Sequence, residues 1–561
     1  MSEIAFLQDA DETAFVPATA NLYFTSNLSM NRHSGGVRCV YDSVFSEKEA
    51  KKVQRMFANS LAKCVENLSE EMSYRDINIA RLLLHNFVEE GTKKLHIGLS
   101  AREILRKDTP DFVFVSEHLD EFLSIFKLFE KYNQFELIRI ETGKAPQKSK
   151  YAGFEESNQI ATGFLKKYAS YVNKIRSSGD QVLLEGGKLI SLSNLYDFEY
   201  AAFSSQASAY NLFQLTHVYD DGGRIREYES FDTGRVEEIV ESSFSDFSSS
   251  FLEIIKNSIL DVANNFYNLQ YNRTKKVYRQ FEKTSPDIAL LSHLVPSSSQ
   301  LIIELSDEFG FDTVLVPHGI MDFFNSRYQN IIYALDHDVK VAVNSDKQSK
   351  KFYSLGFNNS HINTDFSLFV PDEIENRPIN QDNHILVLDY ARNHWNIGRN
   401  SKHEEEYMKW TIEAIQDEGY ENVVYKLHPG RVDKAYMSEL ADSFGLSGVQ
   451  IEKNSDFNEL LSSAKFVVGP KSTAIVESAI MDVPYLFVHL DDYEYGEPCT
   501  NIRQARDKSE LAEMIHERKD YWPDTRKKIL EYFGCDSNSK DIKMNKNLRQ
   551  LTYESLSGEE Q

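Results

Sequence analysis

The stretch from Glu421 to Val488 constrains the fold most, because it reads as strand, loop and helix twice over with polar clusters at the strand ends. It opens ENVVYKLHPGR, where the β-branched pair Val423-Val424 leads into Lys426, His428, Pro429, Gly430 and Arg431. It continues KFVVGPKSTAIVESAIMDVPYLFV: an apolar strand from Phe466 to Val468, a Gly469-Pro470 break, Lys471-Ser472-Thr473, a helix, then a second apolar strand. In parallel sheets, polar groups just beyond the carboxyl ends of buried strands face the ligand crevice. Both clusters should therefore face one cleft.

A helix starting at Ser472 or Thr473 offers unpaired amides, a positive dipole end and two hydroxyls, which suits a phosphate. Ser472 serves equally well as an ordinary helix cap. The same alternation continues on both sides. Strand HILVLDYA precedes a helix running to Gly419, a second helix ends near Gly445, VQIEK precedes DFNELLSSA, and SELAEMIHERKDYW forms a last helix. Upstream, DFVFVSEH and ELIRIE read as strands, and DIALLSHLVPSSSQLIIELSDEFGFDTVLVPHGIMDF reads as strand, helix closed by Gly310, and strand. The polar, two-proline segment Val370 to Asn383 reads as a linker.

The expected architecture is α/β with two doubly wound, Rossmann-like domains facing a cleft. Residues 1–370 form the N-terminal domain with helical insertions, 384–535 the C-terminal domain, and 536–561 a tail. A helix is expected from Ser73 through SYRDINIARLLLHNFVEE. The first forty residues give no firm pattern. EGGKLIS at Glu185 lacks the glycine and hydroxyl spacing of a phosphate loop.

Composition narrows the chemistry. With 62 Lys and Arg against 86 Asp and Glu, the net charge of -24 repels nucleic acid, so no nucleic-acid partner is expected. The start, MSEIAFLQDADETAF, carries no basic leader and no apolar run reaches membrane-spanning length, which reads as soluble and cytoplasmic. Four widely spaced cysteines, Cys39, Cys64, Cys499 and Cys535, signal neither zinc nor a disulfide framework. The basic stretch from Lys540 to Arg549 could touch the inner face of a membrane.

Several residues carry candidate chemistry, each with a plainer structural explanation. Asp220 and Asp221 form a carboxylate pair in which one group could act as a base, or they build an Asp-Gly turn. His428 could support a departing phosphate, or simply end a strand in a His-Pro step. His318 with Gly319 allows close ligand approach in VPHGI. Glu459 stands three residues after Asp456, as in a capping box. Glu477 could hold a ribose hydroxyl or complement the helix dipole. Asp336-His337-Asp338 has the look of a metal-holding triplet but reads as a surface turn.

Taken in order, YDDGG, HPG and KST resemble the bacterial sialyltransferases and polysialyltransferases, with the related capsule and lipopolysaccharide transferases. Those enzymes carry an acidic-acidic-Gly motif, an HP motif and a paired Ser or Ser/Thr motif in that sequence. The resemblance runs through short islands and leaves the first seventy residues unmatched; Ser-Thr replaces a frequent Ser-Ser. It implies a two-domain fold of the GT-B type and metal-independent, inverting transfer of a sialic-acid-like or Kdo-like sugar from a CMP donor to a surface glycan or lipid-linked glycan. No cofactor beyond that donor is implied. Asp220 or Asp221 would be the general base, His428 would assist the leaving CMP, and Ser472 and Thr473 would bind its phosphate, with Lys426, Pro429, Gly430, Arg431, Lys471, Glu459 and Glu477 around the donor. A UDP-sugar or CDP-glycerol transferase and a non-catalytic binding protein of this fold are the alternatives.

Overall fold

The computed structural model describes residues 2–7, 14–24, 38–39, 47–141, 189–193, 211–214, 229–282, 288–291, 297–315, 337, 339–343, 346–354, 362–363, 384–390, 401–428, 434–472, 474–489 and 499–532. Short, buried, β-branched strands alternate with amphipathic helices along them, and the strands sort into three parallel sheets and one small hairpin.

The first sheet contains β1 (Glu3–Leu7), β2 (Asn21–Phe24) and β3 (Arg38–Cys39). Helix α1 (Glu47–Asn67) follows, then an antiparallel hairpin of β4 (Ser73–Tyr74) and β5 (Ile77–Asn78), helix α2 (Ile79–Leu82) and helix α3 (Leu84–Asp108). Strands β6 (Phe112–Ser116) and β7 (Glu136–Ile140), with α4 (Asp120–Glu130) between them, complete the sheet in the order β3-β2-β1-β6-β7. The helix expected from Ser73 thus starts later, at Ile79. Arg75 takes a left-handed φ of 53° at the hairpin turn, and the Asn78 side chain caps α2 by accepting from the Arg81 amide at 3.2 Å.

The second sheet is built from β8 (Leu189–Ser193), β9 (Asn211–Gln214), β10 (Ile288–Leu291), β11 (Asp312–Leu315), β12 (Val339–Val343) and β13 (Ile362–Asn363). Helices α5 (Thr233–Ser243), α6 (Ser249–Phe281), α7 (Ser297–Phe309) and α8 (Asp346–Ser354) lie between its strands in sequence. Its order is β13-β12-β11-β10-β8-β9, with every neighbour parallel. One continuous apolar core runs from Ile4 and Phe6 of the first sheet through Phe87, Leu95 and Ile255 to Leu291 and Val341 of the second. The N-terminal half therefore carries two parallel sheets over a shared core, where sequence periodicity suggested one.

The third sheet gathers β14 (His384–Leu388), β15 (Val423–Lys426), β16 (Val449–Glu452), β17 (Ala464–Gly469), β18 (Tyr485–Val488) and β19 (Gln504–Ala505). Helices α9 (Ser401–Asp417), α10 (Lys434–Ser443), α11 (Phe457–Ser462), α12 (Ala474–Ile480) and α13 (Lys508–Tyr532) connect or follow them. Separate apolar clusters cover its two faces, one around Val467, Tyr485 and Trp522, the other around Val387, Tyr425 and Phe466. Gly419 and Gly445 end α9 and α10 at φ of 82° and 70°, a conformation that penalises any side chain. The linker reading of Val370 to Asn383 and the tail from 536 fall outside the described residues.

Candidate functional site

The order of the third sheet is β16-β15-β14-β17-β18-β19, so the chain winds outward from β14 in one direction and then, from β17, in the other. In open parallel sheets, the carboxyl edge at such a reversal is where ligands bind. Pairing of Leu388 with Lys426 and of Val387 with Val468 aligns the ends of β15, β14 and β17. Three strand ends thus converge on one place.

Lys426 and His428 follow from β15. The Lys426 ammonium, partly buried, donates to the Lys453 carbonyl at 2.5 Å, and burial lowers its proton affinity against the pull of Glu452 and Asp456. His428 is exposed beside the buried Leu427. Lys471 and Ser472, both half-buried, follow from β17. The Ser472 hydroxyl accepts from the Ala474 amide at 3.3 Å and its carbonyl accepts from the Ile475 amide at 3.2 Å, so Ser472 takes up two amides where α12 begins. Lys471 and Ser472 after β17, and Lys426 and His428 at the end of β15 across β14, bring polar and cationic groups to this edge, which suits an anion.

Glu477, one turn into α12, is pushed up to about 7 by burial. Glu459 is exposed on α11, which links β16 to β17; its amide donates to the Asp456 side chain at 2.9 Å, the capping interaction its spacing implied. Pro429, Gly430, Arg431 and Thr473 lie outside the described residues, as do Asp220, Asp221, His318 and Gly319. In sequence, the aspartates come six and seven residues after the end of β9, and His318 three after β11. From the triplet at Asp336, His337 is described and contacts Asp307 through Nδ1 at 2.6 Å. Among the described residues, no group of three His, Cys, Asp or Glu is placed to hold a metal ion. No described helix is long and apolar enough to cross a membrane.

Two residues at this edge escaped the sequence reading. Asp389, directly after β14, is 5% exposed and accepts from the Tyr425 hydroxyl at 3.0 Å and from the His428 amide at 3.3 Å. His489, directly after β18, is buried and meets the Gln504 carboxamide oxygen through Nδ1 at 2.7 Å. The strand-end logic that picked out His428 and Ser472 applies equally to both, since each is the first polar residue after an apolar strand.

The loop from β17 has a special requirement. Tyr485, buried in β18, passes its hydroxyl beneath Gly469 to donate to the Pro470 carbonyl at 2.5 Å. A Cβ at position 469 would stand 2.4 Å from that hydroxyl oxygen, so only glycine leaves the passage open.

The family model for the LIC12162 family transferases matches residues 71–496. That span takes in the whole second sheet and β14 to β18, and leaves β1, β2 and β3 outside. A search of the curated proteins finds no match. Among solved structures, the chain is similar to the S. aureus MnaA-UDP co-structure at 10% identity and a TM-score of 0.41, covering 67% of this chain and 99% of that one. It is similar to a glycosyltransferase from Rickettsia africae at 15% identity and a TM-score of 0.37, covering 66% and 98%. For the lipopolysaccharide outer core galactosyltransferase WaaB the figures are 12%, 0.33, 62% and 97%. Scores this low assign neither substrate nor site.

Proposed function

Because the chain belongs to the LIC12162 family transferases, we propose that it is a glycosyltransferase of the GT-B type that draws a sugar from a nucleotide-activated donor bound at the carboxyl edge of the third sheet. The observation that carries this reading is the reversal of strand order at β14 and β17, flanked by Lys426 and His428 on one side and Lys471 and Ser472 on the other. A nucleotide phosphate is the ligand such an edge suits: amides, a hydroxyl and cations meet an anion with little reorganisation.

The donor we favour is a CMP-activated sialic-acid-like or Kdo-like sugar, and the acceptor a glycan or lipid-linked glycan. The support is the order of YDDGG, HPG and KST along the chain. In the reaction, an acceptor hydroxyl attacks the anomeric carbon while the bond from that carbon to the phosphate oxygen breaks. The bond electrons leave with CMP, and the hydroxyl proton passes to Asp220 or Asp221. Attack opposite the leaving group inverts the anomeric centre. His428, Ser472 and Thr473 stabilise the departing phosphate, which gives this mechanism its charge compensation from protein groups alone.

The test is a thermal-shift panel of CMP, UDP, CDP and GDP on the full chain, followed by donor hydrolysis. Ligand at one hundred times its dissociation constant adds about 2.7 kcal/mol of stability, a shift of several degrees. Protection by CMP, with hydrolysis of a CMP-sugar lost in Asp220→Ala or Asp221→Ala, is the expected result. Protection by UDP or CDP alone moves the donor to that nucleotide. Protection by none removes the nucleotide-sugar reading.

A further inference from the structure

We propose that Asp389 is a positioning residue of this site, tethering the backbone of His428 so that the imidazole is held at the carboxyl edge beside β14. The proposal rests on the reading of His428 as a group that meets the donor phosphate.

The hydrogen-bond pattern at the end of β15 motivates it. The amide of Asp389 donates to the Lys426 carbonyl at 2.9 Å, the last backbone bond between β14 and β15. The next amide, from Leu427, turns the other way and donates to the Glu452 carbonyl of β16 at 2.8 Å. By strand alternation the amide of His428 faces β14 again, and what receives it there is a side chain, Oδ2 of Asp389 at 3.3 Å. The carboxyl thus supplies one further rung after the backbone ladder has stopped.

Asp389 is itself fixed. Its other oxygen accepts from the Tyr425 hydroxyl at 3.0 Å, and the Tyr407 hydroxyl donates to the carbonyl of the preceding Leu388 at 2.8 Å. Both tyrosines are fully buried. A carboxyl in such surroundings is costly unless its oxygens are bonded, and the five residues before it in β14 are all buried. Ending the strand does not require that cost. Placing His428 does: its side chain is exposed, and the bond fixes the backbone that carries the ring. Displacement of a reacting group by ~1 Å is enough to slow a reaction about a hundredfold.

The tether and its consequence are measured separately on the full chain. Hydrogen–deuterium exchange of the peptide containing Leu427 and His428 reads the tether alone. Asp389→Ala should speed exchange of the His428 amide about fivefold or more, while Asp389→Asn, which retains an acceptor oxygen, should stay within about threefold of wild type. Unchanged exchange in Asp389→Ala overturns the proposal, as does an Asn variant that exchanges as fast as the Ala variant. Should the Ala variant fail to fold, the near-isosteric Asn variant carries the test: it keeps the wild-type kcat–pH profile if Asp389 acts by position, and a kcat loss as deep as that of His428→Ala overturns it. In donor turnover, Asp389→Ala should lower kcat with KM little changed and add nothing to His428→Ala; losses that multiply mean that Asp389 acts independently, against the proposal. If His428→Ala turns over like wild type, the reading of His428 fails, and the exchange result still decides the tether.

Discussion

Replacing Gly469 by alanine tests the packing beneath the candidate phosphate loop. The added Cβ would stand 2.4 Å from Tyr485 Oη and 3.1 Å from both Tyr485 Cζ and Leu388 Cβ. Its φ is not left-handed, so the penalty is steric and not conformational. Tyr485 is 1% exposed and cannot swing away without breaking its bond to Pro470 or opening the core around Val467 and Phe487. Overpacking of this kind costs about 1–3 kcal/mol, and loss of the hydroxyl bond adds about 1 kcal/mol. Relief of glycine's backbone entropy returns roughly 0.5–1 kcal/mol. The net is about 1–3.5 kcal/mol, or roughly 2–14 °C for a unit of this size. The chain's 3 tryptophans, Trp395, Trp410 and Trp522, all fall in sequence between the start of β14 and the end of α13, so a tryptophan-fluorescence melt reports on the part of the chain that builds the third sheet. In a Tyr485→Phe background the nearest clashing atom is gone, and the same glycine substitution should cost less than about 1 kcal/mol. Equal melting shifts in both backgrounds would refute the argument.

The remaining predictions concern pH. Glu477 is raised from 4.5 to about 7, so the native state holds its proton more tightly than the unfolded chain. Its neutral form is favoured fully below 4.5, and that advantage is lost as pH rises through 7, leaving a penalty on the order of 3 kcal/mol. Glu477→Gln should therefore raise the fluorescence melting temperature at pH 8 and not at pH 4; the same gain at both values contradicts the assignment. His96, buried in α3, is lowered from 6.5 to about 4 by burial, so its contribution is present above 6.5 and lost as pH falls through 4. His96→Gln should flatten the acid limb of a circular-dichroism stability profile between those values, and an unchanged slope speaks against it.

Much of the fold was legible because its signals are local. HILVL, VVYK, AKFVVG and YLFV are apolar runs bounded by breakers, and each is a strand. Asp456 caps α11 and Ser472 bonds the first amide of α12 through side chains within three residues of the groups they satisfy. The first sheet was legible only in part, at β6 and β7, for the same reason. β3 is only two residues long and β2 only four, below the length at which alternation can be recognised. The candidate edge was half visible: Lys426, His428, Lys471 and Ser472 stood out as strand-end polar groups, whereas Asp389 and Tyr485 looked like parts of apolar strands.

Sequence by itself determined which segments of the C-terminal half are strands and helices, apart from the two-residue β19 and the last ten residues of α13, since periodicity, caps and breakers act over a few residues. Only the tertiary structure decided that β14 lies between β15 and β17, and hence that Asp389, His428 and Ser472 share one edge across more than eighty residues of chain. Strand order arises from which helices cover which face of a sheet, a choice made by packing over the whole unit, and no short window of sequence contains it.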